Sequence, residues 1–159
     1  MIFMYKKILT LITIILILIT TTSCSYDIKD IFKDEKPTNS YHTYNLIDCY
    51  VDSTPNEVGV FDINLYKQKN LNEEEAFDVL RLINSIKNEY FIDKPDDIDT
   101  IPIYKIFITF ENERYIINVY NERYISIYPW DGEYSMDYID MAEIPLAFNL
   151  YGLCRYFLS

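Results

Sequence analysis

Histidine is almost absent from this chain, since His42 is the only one among 159 residues. Catalytic sites that pair a serine or cysteine nucleophile with a histidine base therefore have a single candidate, and it lies in a polar segment. Glycine is also scarce, with three residues, and none of them forms a loop that could cradle a phosphate group. These shortages argue against nucleophilic triads and nucleotide-binding loops.

Basic residues are outnumbered, with 14 lysines and arginines against 25 aspartates and glutamates and a formal net charge of −11. A protein that binds nucleic acid needs clustered positive charge to displace counterions from phosphates. Nucleic acid is therefore excluded as a partner. The acidic balance favours solubility and basic partners, without naming one.

The N-terminus carries the clearest targeting pattern of the chain. Lys6 and Lys7 precede the mostly apolar run 8–19, and small residues then lead to Cys24. An apolar run this short fits an export signal better than a membrane span. The pattern predicts a lipoprotein signal peptide over 1–23, with Cys24 carrying the acyl chains, palmitate among them, that anchor the protein in the membrane.

The alternative is an uncleaved membrane anchor over residues 2–22, because Thr21 stands where lipoprotein signals usually have leucine. In that case Cys24 is an ordinary thiol. Both alternatives place the rest of the chain on the extracytoplasmic face of the cell membrane. Loss of residues 1–23 would remove two lysines and no acid, which makes the exported part still more acidic.

Two further cysteines, Cys49 and Cys154, form an even pair once Cys24 is set aside. Outside the membrane such a pair is a candidate disulfide, here between the start of the folded part and its last helix. The alternative is two separate buried thiols. The sequence leaves both open.

Domain organisation follows from composition. Residues 24–45 are polar, lack a sustained period and are predicted to form a lipidated tether. Residues 46–159 are numerous enough for one modest core and are predicted to form a single α+β domain. A short strand is expected over 45–51.

A strand and a helix are predicted next. Residues 58–66 alternate in polarity, and Phe61, Ile63 and Leu65 are the expected apolar face. Asn72 is a suitable helix cap, and three glutamates follow it at the positive end of the helix. The expected apolar stripe of this helix comprises Ala76, Val79, Leu80, Ile83, Ile86 and Tyr90.

Three strand-like runs, 103–110, 114–120 and 123–128, are separated by short polar turns. Such turns specify an antiparallel meander. Asp140 and Glu143 then form a capping pattern before a mostly apolar closing helix over 146–158. The order strand, helix, three-strand meander and C-terminal helix predicts an α+β fold with an antiparallel sheet.

The most individual motif of the exported part runs from Tyr128 to Tyr134 and contains the only tryptophan. Asp131 and Gly132 suit a tight turn, so Trp130 is expected near a loop tip. Tyr128, Trp130, Asp131 and Tyr134 are the predicted contact patch for a partner.

Catalytic and metal sites find little support. Asp131 and Glu133 could act as a carboxylate pair on a glycoside, but residues two apart in a turn rarely oppose each other across a substrate. Asp93, Asp96, Asp97 and Asp99 lack the spacing of a calcium loop. We expect no catalytic residues, no metal ligands and no cofactor.

The signal, the polar tether, the strand and helix, and the tyrosine-rich meander together resemble small lipoproteins of low-GC Gram-positive bacteria that carry a domain of unknown function. The phrase that carries the resemblance is Tyr124 to Ser126 followed by Tyr128 to Tyr134, and the similarity spans about 58–158. The resemblance implies a surface lipoprotein and supplies no activity or functional residue.

The resulting prediction is a noncatalytic, lipid-anchored surface protein that binds a protein or a cell-wall component. The alternative is an inhibitor or immunity-like protein that protects its own cell from an exported enzyme or toxin. The mark of the alternative would be salt-sensitive binding of its acidic surface to a basic partner.

Overall fold

The computed structural model describes residues 36–98, 100–132 and 134–159. The predicted signal peptide, Cys24 and the first part of the tether lie outside these residues. The helices are α1 (Tyr41–Asp52), α2 (Glu73–Asn84) and α3 (Leu150–Phe157), with 3-10 turns at Asn88–Tyr90 and Leu146–Phe148. The strands are β1 (Glu57–Asp62), β2 (Lys67–Asn70), β3 (Phe91–Ile92), β4 (Tyr104–Thr109), β5 (Arg114–Val119), β6 (Tyr124–Pro129) and β7 (Asp137–Asp140).

The strands form one seven-stranded sheet in the order β2-β1-β4-β5-β6-β7-β3. Every pairing in it is antiparallel. Strands β4 to β7 follow one another along the chain as a meander. β1 pairs directly with β4, although β2, α2 and β3 lie between them in the sequence. The predicted α+β class, with an antiparallel sheet and a C-terminal helix, is confirmed.

The core lies on one face of the sheet, under the three helices. Alternate residues of the strands point into it, because successive side chains of a strand face opposite sides. Leu46 of α1, Val79 of α2 and Leu150 of α3 are fully buried against this face. The strand residues of the core include Val58, Val60, Ile106, Ile108, Ile117, Val119, Ile125, Ile127 and Ile139.

Helix α2 begins as predicted. The Asn72 side chain accepts a hydrogen bond from the Glu75 backbone amide at 2.9 Å, and the Glu75 carboxylate accepts from the Asn72 amide at 3.1 Å. This reciprocal pair satisfies two backbone donors at the helix start. Lys69 hydrogen-bonds to the Glu75 carboxylate and holds its pKa below the usual value. The helix ends at Asn84, so the predicted stripe extends beyond it at Ile86 and Tyr90.

Residues 45–51 are helical in the structure, so the short strand predicted there is wrong. Helix α1 also takes in residues 41–44, which were assigned to the tether. Leu46 faces the core with no exposed surface, and His42 and Thr43 are buried beside it. Burial of this face, rather than local propensity, accounts for the helix.

The predicted apolar face of β1 is also wrong. Val58 and Val60 enter the core, whereas Leu65 lies beyond the strand and is 73% exposed. The strand ends at Asp62, whose carboxylate accepts hydrogen bonds from the backbone amides of Asn64 and Leu65 at 2.8 and 2.9 Å. This side-chain turn reverses the chain into β2. The alternating pattern of the sequence runs on to residue 66, whereas the strand ends at Asp62.

The C-terminal helix is shorter than predicted and begins at Leu150. Asn149 falls inside the predicted range 146–158 but is the cap of this helix, and it accepts a hydrogen bond from the Gly152 amide at 2.9 Å. Asp140 belongs to β7 rather than to a cap. It forms an ion pair with Arg123 at 2.7 Å, and the guanidinium lowers the pKa of the Asp140 carboxyl.

Cys49 and Cys154 are free thiols, so the structure matches the alternative of two separate thiols rather than the disulfide. Cys49 lies 3.8 Å from the Tyr115 hydroxyl, beside the turn between β4 and β5. Cys154 lies near Tyr104, at the other end of β4. Those ends are about 16 Å apart at the rise of an extended strand, and a disulfide requires Cα atoms within about 7 Å.

Candidate ligand groove

A groove of about 790 Å³ opens at the end of the sheet where the β4–β5 turn, the β6–β7 loop and the start of α1 meet. We call it the ligand groove. Its volume lies in the range of pockets that hold small molecules. It is lined by Tyr41, His42, Asn45, Asn56, Phe110, Glu111, Asn112, Glu113, Arg114, Tyr115, Trp130, Asp131 and Tyr134, together with Thr109 and Pro129.

Backbone hydrogen bonds fix the position of these loops. The Phe110 amide donates to the Glu113 carbonyl at 2.8 Å and closes the β4–β5 turn. The Trp130 amide donates to the Arg114 carbonyl at 2.9 Å, which extends the ladder between β5 and β6 by one step. Trp130 is thereby held beside Arg114 at the groove edge.

The Trp130 side chain is 67% exposed, which is unusual for the largest aromatic residue. Pro129 precedes it and restricts the backbone where β6 ends. Asp131 and Gly132 follow, and Gly132 adopts a positive φ of 55°, a conformation that glycine accepts without strain. Trp130 therefore projects from the turn that follows β6, and its own backbone is constrained by Pro129 and by the bond to Arg114.

Two tyrosines form the wall on the α1 side. The rings of Tyr41 and Tyr134 meet edge to face with their centroids 5.5 Å apart. His42 lies behind them, with its ring 5.4 Å from Tyr41 and 6.2 Å from Tyr134. Edge-to-face packing of this kind adds stability beyond simple area burial and gives the wall a defined shape.

His42 is 2% exposed, and its Nε2 lies 3.1 Å from the Ser135 carbonyl oxygen. A carbonyl only accepts, so Nε2 carries the proton and donates it. Burial lowers the pKa of His42, and Lys36 lowers it further, whereas Asp137 and Asp131 act in the opposite direction. The imidazole is therefore neutral at pH 7, and its bond to Ser135 ties α1 to the β6–β7 loop.

A second set of contacts fixes the acidic side of the groove. The Tyr115 hydroxyl donates to Glu113 Oε2 at 2.6 Å, and the Cys49 thiol donates to the same oxygen at 3.5 Å. Burial raises the pKa values of both the Tyr115 hydroxyl and the Cys49 thiol, so both are protonated donors at pH 7. Glu113 is therefore held against α1.

The groove has mixed polarity with an acidic excess. Glu111, Glu113 and Asp131 contribute carboxylates, and Arg114 contributes a guanidinium. Within the described residues, no group of three potential ligands is placed to hold a metal ion. Asp93, Asp96 and Asp97 are exposed in their loop, while Asp99 and Glu133 lie outside the described residues.

A smaller cavity of about 250 Å³ adjoins the groove on the sheet face opposite the core. Thr109, Arg114, Tyr115 and Trp130 line both cavities. The smaller cavity also reaches Gly59 and Phe107. Trp130 therefore borders both recesses.

Three residues of the predicted contact patch, Trp130, Asp131 and Tyr134, line the ligand groove. The fourth, Tyr128, does not. It lies two positions after Ser126 on the sheet face opposite the core, where burial raises the pKa of its hydroxyl. Tyr134 is half-buried against Tyr41, so the most exposed parts of the patch are Trp130 and Asp131.

Sequence reasoning missed the α1 side of the groove and the β4–β5 turn. The turn could have been found, because an antiparallel meander brings the β4–β5 turn and the end of β6 to the same edge of the sheet. Tyr41 and His42 carry no comparable signal in the sequence. They reach the groove through contacts with residues about a hundred positions away.

The chain matches the sequence model of a known protein family. The sequence model of the family described as a domain of unknown function, DUF4883, covers residues 36–154. The chain belongs to this family. The DUF4883 match begins before α1, so it includes the residues of the α1 side of the groove. The family description names no activity.

A solved structure is similar to this DUF4883 chain over most of its length. It is described as "Putative Lipoprotein from Clostridium perfringens" and is 33% identical, with a TM-score of 0.67. The alignment covers 77% of this chain and 97% of the clostridial protein. The expected resemblance to small lipoproteins of low-GC Gram-positive bacteria that carry a domain of unknown function is confirmed.

A comparison with curated proteins finds no significant match. In the part of the chain that the structure describes, no helix has the length and apolar character needed to cross a membrane.

Proposed function

We propose that this DUF4883 protein is a noncatalytic binding module that is held by lipid at the extracytoplasmic face of the cell membrane and uses the ligand groove to hold a partner. The observation that carries the proposal is Trp130, a 67% exposed ring on a constrained turn beside a groove of about 790 Å³. Rigid aromatic residues beside a recess make strong binding contacts at low entropic cost.

The lipid anchor is supported by two independent observations. The N-terminal sequence ends its apolar run at Cys24 after two lysines. The clostridial protein of similar structure is described as a lipoprotein. Two or more acyl chains hold a protein on a membrane nearly permanently, because each buried methylene contributes about 0.8 kcal/mol.

A noncatalytic role is supported by the way the titratable groups of the groove are engaged. His42 donates to a backbone carbonyl and packs behind two tyrosines, which is a structural arrangement. Glu113 is bound by the Tyr115 hydroxyl and the Cys49 thiol. These contacts commit the base and one carboxylate to holding the groove walls together.

The binding role is tested by capture from a cell-envelope fraction. Wild type, Trp130→Ala and Phe148→Ala are compared, because Phe148 is 69% exposed on the turn before α3 and lies outside the groove lining. We expect Trp130→Ala to lose the captured partner and Phe148→Ala to keep it. Equal capture by all three would overturn the role of the groove.

The anchor is tested by metabolic labelling with an alkyne-tagged palmitate. Wild type should take up the label and partition into detergent, and Cys24→Ala should lose the label. An unlabelled wild-type protein that stays in the membrane would support the uncleaved anchor over residues 2–22 instead.

A further inference from the structure

We infer that the ligand groove binds a neutral glycan, a chain of uncharged sugar rings rich in hydroxyl groups, with one ring stacked on Trp130. The inference rests on the proposed function, since it assigns a ligand class to the same groove. Four features of the structure support it, namely the two adjacent cavities, the Trp130 platform, the mixed hydrogen-bonding groups and the position of Arg114.

The cavities suit an extended ligand. The ligand groove of about 790 Å³ and the smaller recess of about 250 Å³ share four lining residues, so they lie side by side and offer an extended ligand two neighbouring subsites. A compact metabolite would use one enclosed cavity, whereas a polymer needs a track that continues on both sides of its central contact.

Trp130 lies at the junction of the two cavities. A flat exposed indole matches the C–H face of a sugar ring, and many weak dispersion contacts then add up over the shared area. The hydroxyl groups of the ring point outward from the stack and stay available for hydrogen bonds. The constrained turn around Trp130 limits the entropy lost on binding.

The polar lining offers both donors and acceptors. The carboxylates of Glu111 and Asp131 only accept hydrogen bonds, whereas the side-chain amides of Asn45, Asn56 and Asn112 both donate and accept. A hydroxyl group also does both, so a sugar can satisfy either kind of group. A ligand limited to donors or to acceptors would leave part of this lining without partners.

Charge argues against an anionic ligand, and the Arg114 guanidinium argues against a cation stacked on Trp130. The Trp130 amide is bonded to the Arg114 carbonyl, and both side chains line both cavities, so a cation stacked on Trp130 would approach the guanidinium. An anionic polymer would meet Glu111, Glu113 and Asp131 and a chain of net charge −11. An uncharged ligand avoids both repulsions.

The test uses Trp130 as its own reporter, because it is the only tryptophan in the chain. The probes are tetramers of glucose and of N-acetylglucosamine, with pentalysine as the cationic comparison. We expect one tetramer to shift the tryptophan emission to shorter wavelength in a saturable way. The affinity should change little between about 50 and 500 mM salt, since a neutral ligand has no charge to screen.

Variants then locate the site by calorimetry. Trp130→Ala should weaken binding of the tetramer at least about tenfold, as expected for a central aromatic contact, and Trp130→Phe should retain part of the affinity. Phe148→Ala should bind as wild type does. Circular dichroism checks that each variant is folded, which is expected because both side chains are mostly exposed.

The outcomes separate the two proposals. If neither tetramer binds, or if pentalysine alone shifts the emission and does so in a salt-sensitive way, the glycan inference is overturned while the proposed function still stands. If Trp130→Ala also leaves capture from the cell envelope unchanged, the proposed function falls with it.

Discussion

Asp137, the first residue of β7, caps helix α1 at Thr43. Its Oδ2 accepts hydrogen bonds from the Thr43 backbone amide at 2.7 Å and from the Thr43 hydroxyl at 2.8 Å. Ser40, at the N-cap position of α1, makes no side-chain capping bond. Lys36 binds the other carboxylate oxygen at 2.9 Å. A buried carboxylate from β7 thus supplies the acceptor and the negative charge that the start of α1 requires.

We predict that Asp137→Asn lowers the free energy of unfolding by about 3 kcal/mol, because it leaves the largely buried Lys36 without its counter-ion and weakens the cap. Urea unfolding followed by circular dichroism measures the change. The matched control is Asp140, which lies on the same strand and forms an ion pair with Arg123. Since Arg123 is more than half exposed, Asp140→Asn should cost less than about 1 kcal/mol. A similar loss in both variants would contradict the capping role of Asp137.

Acid should destabilise the domain through His42. Burial lowers its folded pKa below the unfolded value near 6.5, so the unfolded chain binds the proton more readily. The stabilisation is complete above pH 6.5 and is lost as pH falls below it. The charged groups that act on the imidazole are Asp137 and Asp131, which raise its pKa, and Lys36, which lowers it.

The pH effect is measured as the difference in unfolding free energy between pH about 7.5 and about 5.5. Carboxyl groups with lowered pKa, such as Glu75, start from ordinary values of 4.5 or less and titrate below this window. His42→Gln should reduce the difference. Because His42 is the only histidine, one imidazole resonance in an NMR titration gives its pKa directly. A value at or above 6.5 would refute the prediction.

Gly152→Ala should destabilise α3, although alanine normally favours a helix by about 1 kcal/mol over glycine. A Cβ atom at Gly152 would lie 1.9 Å from the Leu146 carbonyl oxygen, a contact that only backbone movement can relieve. We expect a loss of about 2 kcal/mol or more in thermal or urea unfolding. Gly59→Ala is the matched control, because its nearest atom is a flexible Asn70 side chain at 3.4 Å. Gly59→Ala should be close to neutral.

The thiols should respond differently to a thiol reagent in the folded protein. Cys49 is partly exposed and should react slowly, since burial and Glu113 raise its pKa. Cys154 is buried and its pKa is raised to about 12, so it should react only after unfolding. In unfolded, unreduced protein both Cys49 and Cys154 should react with the reagent. Recovery of neither Cys49 nor Cys154 under those conditions would show that a disulfide forms.

The sequence predicted the centre of the sheet well. Strands β4, β5 and β6 are apolar runs rich in isoleucine and tyrosine, and each is bounded by a short polar turn, so local pattern and tertiary role agree. β2 was not predicted, because Lys67–Asn70 is wholly polar and becomes a strand only by pairing with β1. Edge strands often carry charged residues, so they lack the alternating apolar pattern by which a strand is recognised in the sequence.

Helix α1 and the groove residues that it carries could not be predicted for a related reason. Residues 41–52 are rich in aromatic and β-branched residues, and the acceptor that caps them comes from Asp137, 94 positions after Thr43. Contacts at that separation leave no local pattern. Trp130 was identified because turn residues surround it, whereas Tyr41 and His42 were not, because only the folded chain brings them beside Tyr134.

The cap at Asp137 also determines where the chain can be cut. A recombinant fragment that starts at residue 46, where the sequence alone places the domain boundary, would lack both Lys36 and Thr43 and would leave the Asp137 carboxylate buried with no partner from either. Expression boundaries should therefore be placed upstream of residue 36. A protease that cuts between Lys36 and Thr43 would separate Lys36 from Asp137 and weaken the attachment of the first helix to the sheet.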